Sequence, residues 1–113
     1  MLPRERNYLL DMLKAAKLAQ AFVEDVDWDA FQFDLMRQSA VTRQLEIIGE
    51  AARRISEASQ AERPEIPWHQ IIGMRNRIAH EYDRINLSTR WDTVQLALPA
   101  LIAILEAIIE AEE

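Results

Sequence analysis

The chain has no cysteine, so it holds no disulfide, no thiolate metal site and no thiol nucleophile. That fits the cytosol. Glycine is scarce, with two in 113 residues. No Gly-rich phosphate loop exists, which removes P-loop and dinucleotide-binding folds. The two histidines, His69 and His80, stand eleven residues apart with no carboxylate in ligand spacing, so no metal site is expected. Basic charge is in deficit. A net charge of −6 argues against broad capture of nucleic acid, whose usual footprint is a basic face. Long hydrophobic runs are missing as well. The longest low-charge stretch, Thr93 to Leu105, is shorter than the roughly 20 apolar residues of a bilayer span. Met1-Leu2-Pro3-Arg4-Glu5-Arg6 lacks the apolar run of a signal peptide. Together these absences predict a cytoplasmic protein without a membrane partner.

What is present has the period of a helix. Ala, Leu, Ile, Glu and Arg dominate, mostly strong helix formers, and half of the residues are apolar. Such a length predicts a single helical domain over residues 1–113, able to bury a modest core that an oligomer would enlarge. Leu9, Met12, Ala16, Ala19 and Val23 form one stripe at spacings of three and four, which predicts a helix from about Arg4 to Glu24. Asp25 to Asp29 interrupts it, and Asp27 or Asp29 can cap the next helix. A long second helix is expected from about Ala30 to Ala58, with Val41, Leu45, Ile48, Ala52 and Ile55 as its stripe. Ile47 and Ala51 widen that stripe, as in a helix touching two partners or one central in its own bundle. Gly49 lies in mid-helix, where close packing would explain it.

Ser59 to Pro67 reads as a polar loop, and Pro67 suits the first turn of a third helix that turns Ile71, Met74 and Ile78 inward. Asn86 or Ser88 can cap a fourth helix running to about Glu110, and Pro99 should kink or split it. No repeat, low-complexity tract or strand signal breaks the pattern. The fold class is therefore all-α: an antiparallel four-helix bundle with a kinked or split last helix.

Chemistry is concentrated in Arg75-Asn76-Arg77-Ile78-Ala79-His80-Glu81-Tyr82. His80 is the one plausible acid or base of physiological pKa beside a phosphate-binding group. Arg75 can hold a phosphodiester in a bidentate fork and stabilise its charge. Asn76, four before His80, can orient the imidazole or contact phosphate, and Arg77 is a second phosphate candidate. At 3.6 residues per turn, Arg75 and His80 stand about 140° apart on a continuous helix. They meet if the helix unwinds before His80, if the arginine reaches around, or if two subunits pool their copies. A helix-end histidine beside solvated arginines is the plainer alternative. Tyr82 can be a core tip, a hydrogen-bond partner or a modifiable hydroxyl. Glu50 interrupts an apolar run, although an exposed helix carboxylate is the commoner case.

The spacing Arg-x4-His-x-Tyr resembles the motif of the HEPN superfamily, specifically the HepT-like toxins of toxin–antitoxin pairs. The segment Leu45-Glu46-Ile47-Ile48-Gly49-Glu50-Ala51-Ala52 is similar to that family's long second helix. Pro67 to Asn76 is similar to its approach to the motif, and Leu98-Pro99-Ala100-Leu101 to its last helix. The resemblance implies a HEPN-type bundle that forms a homodimer and sets two motifs across a shared cleft. It implies a metal-independent RNA endonuclease, needing no cofactor, in which Arg75 and His80 are catalytic. They would promote attack of a ribose 2′-hydroxyl on the adjacent phosphate and leave a cyclic phosphate. Asn76 and Arg77 would support substrate binding. The resemblance further implies the toxin of a type VII-like toxin–antitoxin system. Its partner would be an MNT-type nucleotidyltransferase antitoxin that AMPylates Tyr82. The alternative is a non-catalytic nucleotide-binding or docking subunit of such a transferase complex.

Overall fold

In the computed structural model, which describes residues 1–81 and 86–112, every regular element is helical. Helix α1 spans Pro3–Phe22, with proline in its first turn where the missing N–H is harmless. The expected stripe holds: Leu9, Met12, Ala16 and Ala19 are fully buried and Val23 nearly so. Asp25, at φ 61°, takes the left-handed conformation that turns the chain out of α1, a conformation aspartate tolerates better than most residues. Short α2 (Trp28–Phe31) comes next, capped by Asp27, whose side chain accepts from Ala30 N at 2.8 Å.

The expected long second helix is instead three pieces. Its central part is α3 (Leu35–Arg53), and α4 (Glu57–Glu62) extends into the start of the stretch read as a polar loop. Small polar residues make the breaks. Asp34 caps α3 by accepting from Arg37 N, and Gln38 Nε2 donates back to the carbonyls of Phe31 and Gln32. Ser56 caps α4 by accepting from Ser59 N, while Gln60 Nε2 donates to Ile55 O. Each side chain satisfies a helix-end group that a continuous helix would have satisfied itself. The apolar stripe nevertheless crosses the break, because Val41, Leu45, Ile48, Ala52 and Ile55 are all buried.

Helix α5 (Trp68–Glu81) carries the motif. Pro67 stands just before it, with its carbonyl accepting from Ile71 N. Trp68 anchors this end: the ring is buried and Nε1 donates to Arg63 O at 3.0 Å. Ile78 is fully inward, and Ile71 and Met74 pack partly against the core. Asn86 caps α6 (Leu87–Asp92) by accepting from Ser88 N. The run continues as a π segment (Thr93–Ala97) into α7 (Leu98–Ala111). Pro99 has no N–H for the carbonyl of Gln95, and the helix widens there rather than breaking. Thr93 Oγ1 also bonds back to Thr89 O, which favours a bend.

The four long rods are α1, α3, α5 and the α6–α7 run. Helix α1 packs on α3 and α7, and α5 packs on the other flank of α3. Trp28, Phe31 and Trp91, with ring centroids 4.9 to 6.4 Å apart, tie α2 to α6. The run Leu87–Ala111 is long and apolar enough, by length and composition, to cross a bilayer, so the low-charge stretch understated it. Here it is a bundle helix, with Leu98, Leu101, Leu105, Ile108 and Ile109 forming its buried stripe.

Candidate active site

Helix α5 lies against α3 at one point of closest approach, where Gly49 faces Arg75. A Cβ built on Gly49 would overlap Arg75 Cβ, stand 2.9 Å from Arg75 Cγ and 3.1 Å from Ile71 O. The mid-helix glycine is thus the close-packing residue its position suggested. It costs α3 about 1 kcal/mol of helix propensity relative to alanine, and the exchange is proximity to the motif arginine.

Arg75 is half-buried beside this crossing. Its Nη1 donates to Asn76 Oδ1 at 3.2 Å. Its Nε is shielded from solvent and has no hydrogen-bond partner among the described residues. An orphaned guanidinium donor is unusual, because a buried polar group without a partner is costly. The carboxylates flanking Gly49 in sequence pair with another cation: Arg43 Nη1 lies 2.6 Å from Glu46 Oε1 and 3.8 Å from Glu50 Oε1. The hydrogen bond to Glu46 pushes the Arg43 guanidinium pKa above its ordinary value, so this cation stays charged. No ion pair to Arg75 occurs among the described residues.

The remaining motif residues lie on other faces. Asn76, Arg77 and His80 are exposed, and His80 stands in the last turn of α5. That helix runs unbroken through both Arg75 and His80. Unwinding therefore does not bring the two side chains together within one chain. Tyr82 and Arg84 lie outside the described residues. His69 is exposed in the first turn of α5, away from the crossing.

Beside Ile78 and Ala79 a concavity of about 370 Å³ opens between α5 and α3, lined also by Ser39, Thr42, Arg43 and Glu46. Buried Thr42 closes its floor: its hydroxyl donates to Gln38 O at 2.7 Å and accepts from Arg90 Nη1 at 2.9 Å. Arg90, close in sequence to the motif's arginines, thus reaches from α6 to α3. Sequence reasoning does not single out Thr42 or Arg43. The spacing of three between Arg43 and Glu46 is their available signal. A larger concavity, about 560 Å³ between α1 and the π segment, contains none of the motif residues.

The sequence pattern of the family described as "Ribonuclease HepT-like" matches residues 12–108, a span that includes Gly49 and the whole motif. The chain belongs to the HepT-like ribonuclease family. Among its relatives, "Probable ribonuclease HepT" of Thermococcus cleftensis is 35% identical over 96 residues, covering 85% of this chain and 87% of that one. A "Putative RNase" of Methanocaldococcus jannaschii is 35% identical over 105 residues, covering 93% and 87%. A "Putative RNase" of Caldanaerobacter subterraneus subsp. tengcongensis is 30% identical over 108 residues, covering 96% of each. No solved structure matches the chain. The all-helical bundle is the fold class that the resemblance implied.

Proposed function

We propose that this HepT-like protein is a metal-independent RNA endonuclease, the toxin of a toxin–antitoxin pair acting in the cytoplasm. The observation that carries the reading is Arg75: half-buried, without an ion-pair partner among the described residues, and left with an orphaned Nε. With no carboxylate paired to the guanidinium among the described residues, its terminal nitrogens can take phosphate oxygens, while the buried Nε marks how tightly the stem is held. In the proposed reaction Arg75 binds and polarises the scissile phosphate. His80 takes the proton of the ribose 2′-hydroxyl as that oxygen attacks phosphorus. The bond to the 5′-oxygen breaks, that oxygen is protonated, and a 2′,3′-cyclic phosphate remains. Asn76 and Arg77 extend the phosphate contacts along the exposed face.

Because one unbroken helix holds Arg75 and His80 about 140° apart, the reading includes a homodimer in which two copies complete each other's cleft. The large exposed apolar side chains Leu35, Met36 and Leu96 support association. Net charge of −6 is compatible with short-range recognition by a few arginines. The proposed partner is a nucleotidyltransferase that places AMP on Tyr82. The added phosphate would repel RNA from Arg75 and His80.

The test is cleavage of a defined RNA by the purified chain and its variants. Arg75→Ala and His80→Ala should each lose at least about a hundredfold in rate while keeping the helical spectrum. Cleavage should persist in EDTA and fail on a 2′-deoxy substrate. Chelator-sensitive cleavage, or cutting of DNA, rules the chemistry out. Full inertness of the wild type toward RNA favours the docking-subunit alternative. Tyr82→Phe should stay active yet gain no AMP from an active transferase.

A further inference from the structure

We propose that Gly49 is a positioning residue for Arg75, and that the crossing of α3 and α5 at this glycine is part of the catalytic apparatus. The proposal rests on the reading of Arg75 as the phosphate-binding group.

The steric observation is specific. Of the three atoms nearest to a Gly49 Cβ, two are the first carbons of the Arg75 side chain and the third is the backbone oxygen of Ile71. These are not flexible ends. Arg75 Cβ is fixed by the backbone, so no rotamer of Arg75 relieves the overlap. Only movement of α5 relative to α3 does. Ile71 and Arg75 are four apart, hence on one face of α5, and both are seated over the same glycine. The arginine stem therefore has its origin set by α3 and not by its own helix alone.

The second observation concerns the far end of that stem. Arg75 Nε is buried and without a partner among the described residues, and the carboxylates one turn away and adjacent on α3, Glu46 and Glu50, are held by Arg43. An arginine pressed this close to a helix surface, with no acid paired to it among the described residues, is held with a donor uncommitted. Moving α5 outward by about 1 Å, the scale of the overlap, would wet Nε and swing the guanidinium. Loss of position of that size costs on the order of a hundredfold in rate.

The experiment uses the full chain and Gly49→Ala, with two readouts. One is the Arg75 Nε–Hε resonance, assigned by its absence in Arg75→Lys and followed without RNA. The other is RNA cleavage. In Gly49→Ala the resonance should move and exchange faster with water, and kcat should fall about a hundredfold with KM changed less. The helical spectrum should be retained. An unmoved resonance overturns the proposal, whatever happens to cleavage. So does a moved resonance with wild-type kcat. If Gly49→Ala fails to fold, Gly49→Ala combined with Arg75→Gly decides, because Arg75→Gly removes both carbons that a Gly49 side chain would strike. Folding of the double variant supports the crossing; its failure to fold overturns it. A wild type that does not cleave RNA defeats the function reading alone, since the resonance is read without substrate.

Discussion

Gly49 and Gly73 are the two glycines of the chain; both are helical, and the helices that carry them touch. A side chain on Gly49 would strike Arg75 and Ile71, while one on Gly73 would meet nothing within 4 Å. The first glycine is demanded by the fold of one chain. The second has no such reason within it. Helix α5 thus has an inner face constrained by α3, and an outer face, bearing Asn76, Arg77 and His80, that the chain leaves open. Constraint on one side and openness on the other suit the roles proposed for Arg75 and His80.

That contrast can be broken by experiment. The largest effect expected on stability is at the inner face. Ile78 is 4% exposed, so Ile78→Ala should cost about 2–5 kcal/mol, measured by denaturant unfolding. On the outer face Arg77→Ala should stay within about 0.5 kcal/mol. Equal costs would mean that α5 is not sided as described.

Next in size is Gly73→Ala. Alanine in an open helical position should raise stability by about 1 kcal/mol, seen as a higher unfolding midpoint. A loss instead would show that something presses on this face. Light scattering on the same samples tells whether that something is a second copy: the proposed dimer has twice the chain mass of 13.1 kDa.

The smallest effect is far from α5 and calibrates the contrast. Glu5 is 2% exposed in the first turn of α1. Burial pushes its carboxyl pKa up, but hydrogen bonds from Ser59 and Ser56 outweigh this and hold it below the ordinary value. A depressed carboxylate contributes stability above its unfolded pKa and loses it as pH falls through the folded one. Glu5→Gln should therefore melt lower than wild type at pH 7. The gap should close below about pH 4. A gap that does not change with pH would assign the effect to packing.

Much of the fold is legible in the sequence because helical periodicity survives interruption. The stripes of α1 and α3 can be read directly; the caps narrow to Asp27 or Asp29 and Asn86 or Ser88, and the structure selects the first of each pair. The breaks at Asp34 and Ser56 cannot be read this way. Polar residues inside an apolar period read equally well as an exposed helix face, and only their bonds to Arg37 N and Ser59 N reveal caps. Pro99 marks a disturbance of the last helix. Its neighbours decide that the disturbance is a π turn. For the site, the motif gives its residue types and spacing. It does not give Thr42 and Arg43, which belong to a different helix and carry no signature of their own.

Sequence by itself determined the helical class, the inward stripes, the absence of thiol chemistry and the presence of Arg75 and His80 at a five-residue step. These come from local rules: side-chain type, period and spacing along one chain. Tertiary structure alone decided that Arg75 sits on Gly49 and that its Nε is buried without a partner among the described residues. It also decided that α5 stays unbroken, so that Arg75 and His80 point apart within one chain. Those facts depend on how closely two helices approach, a distance set by the side chains of both and encoded in neither one alone.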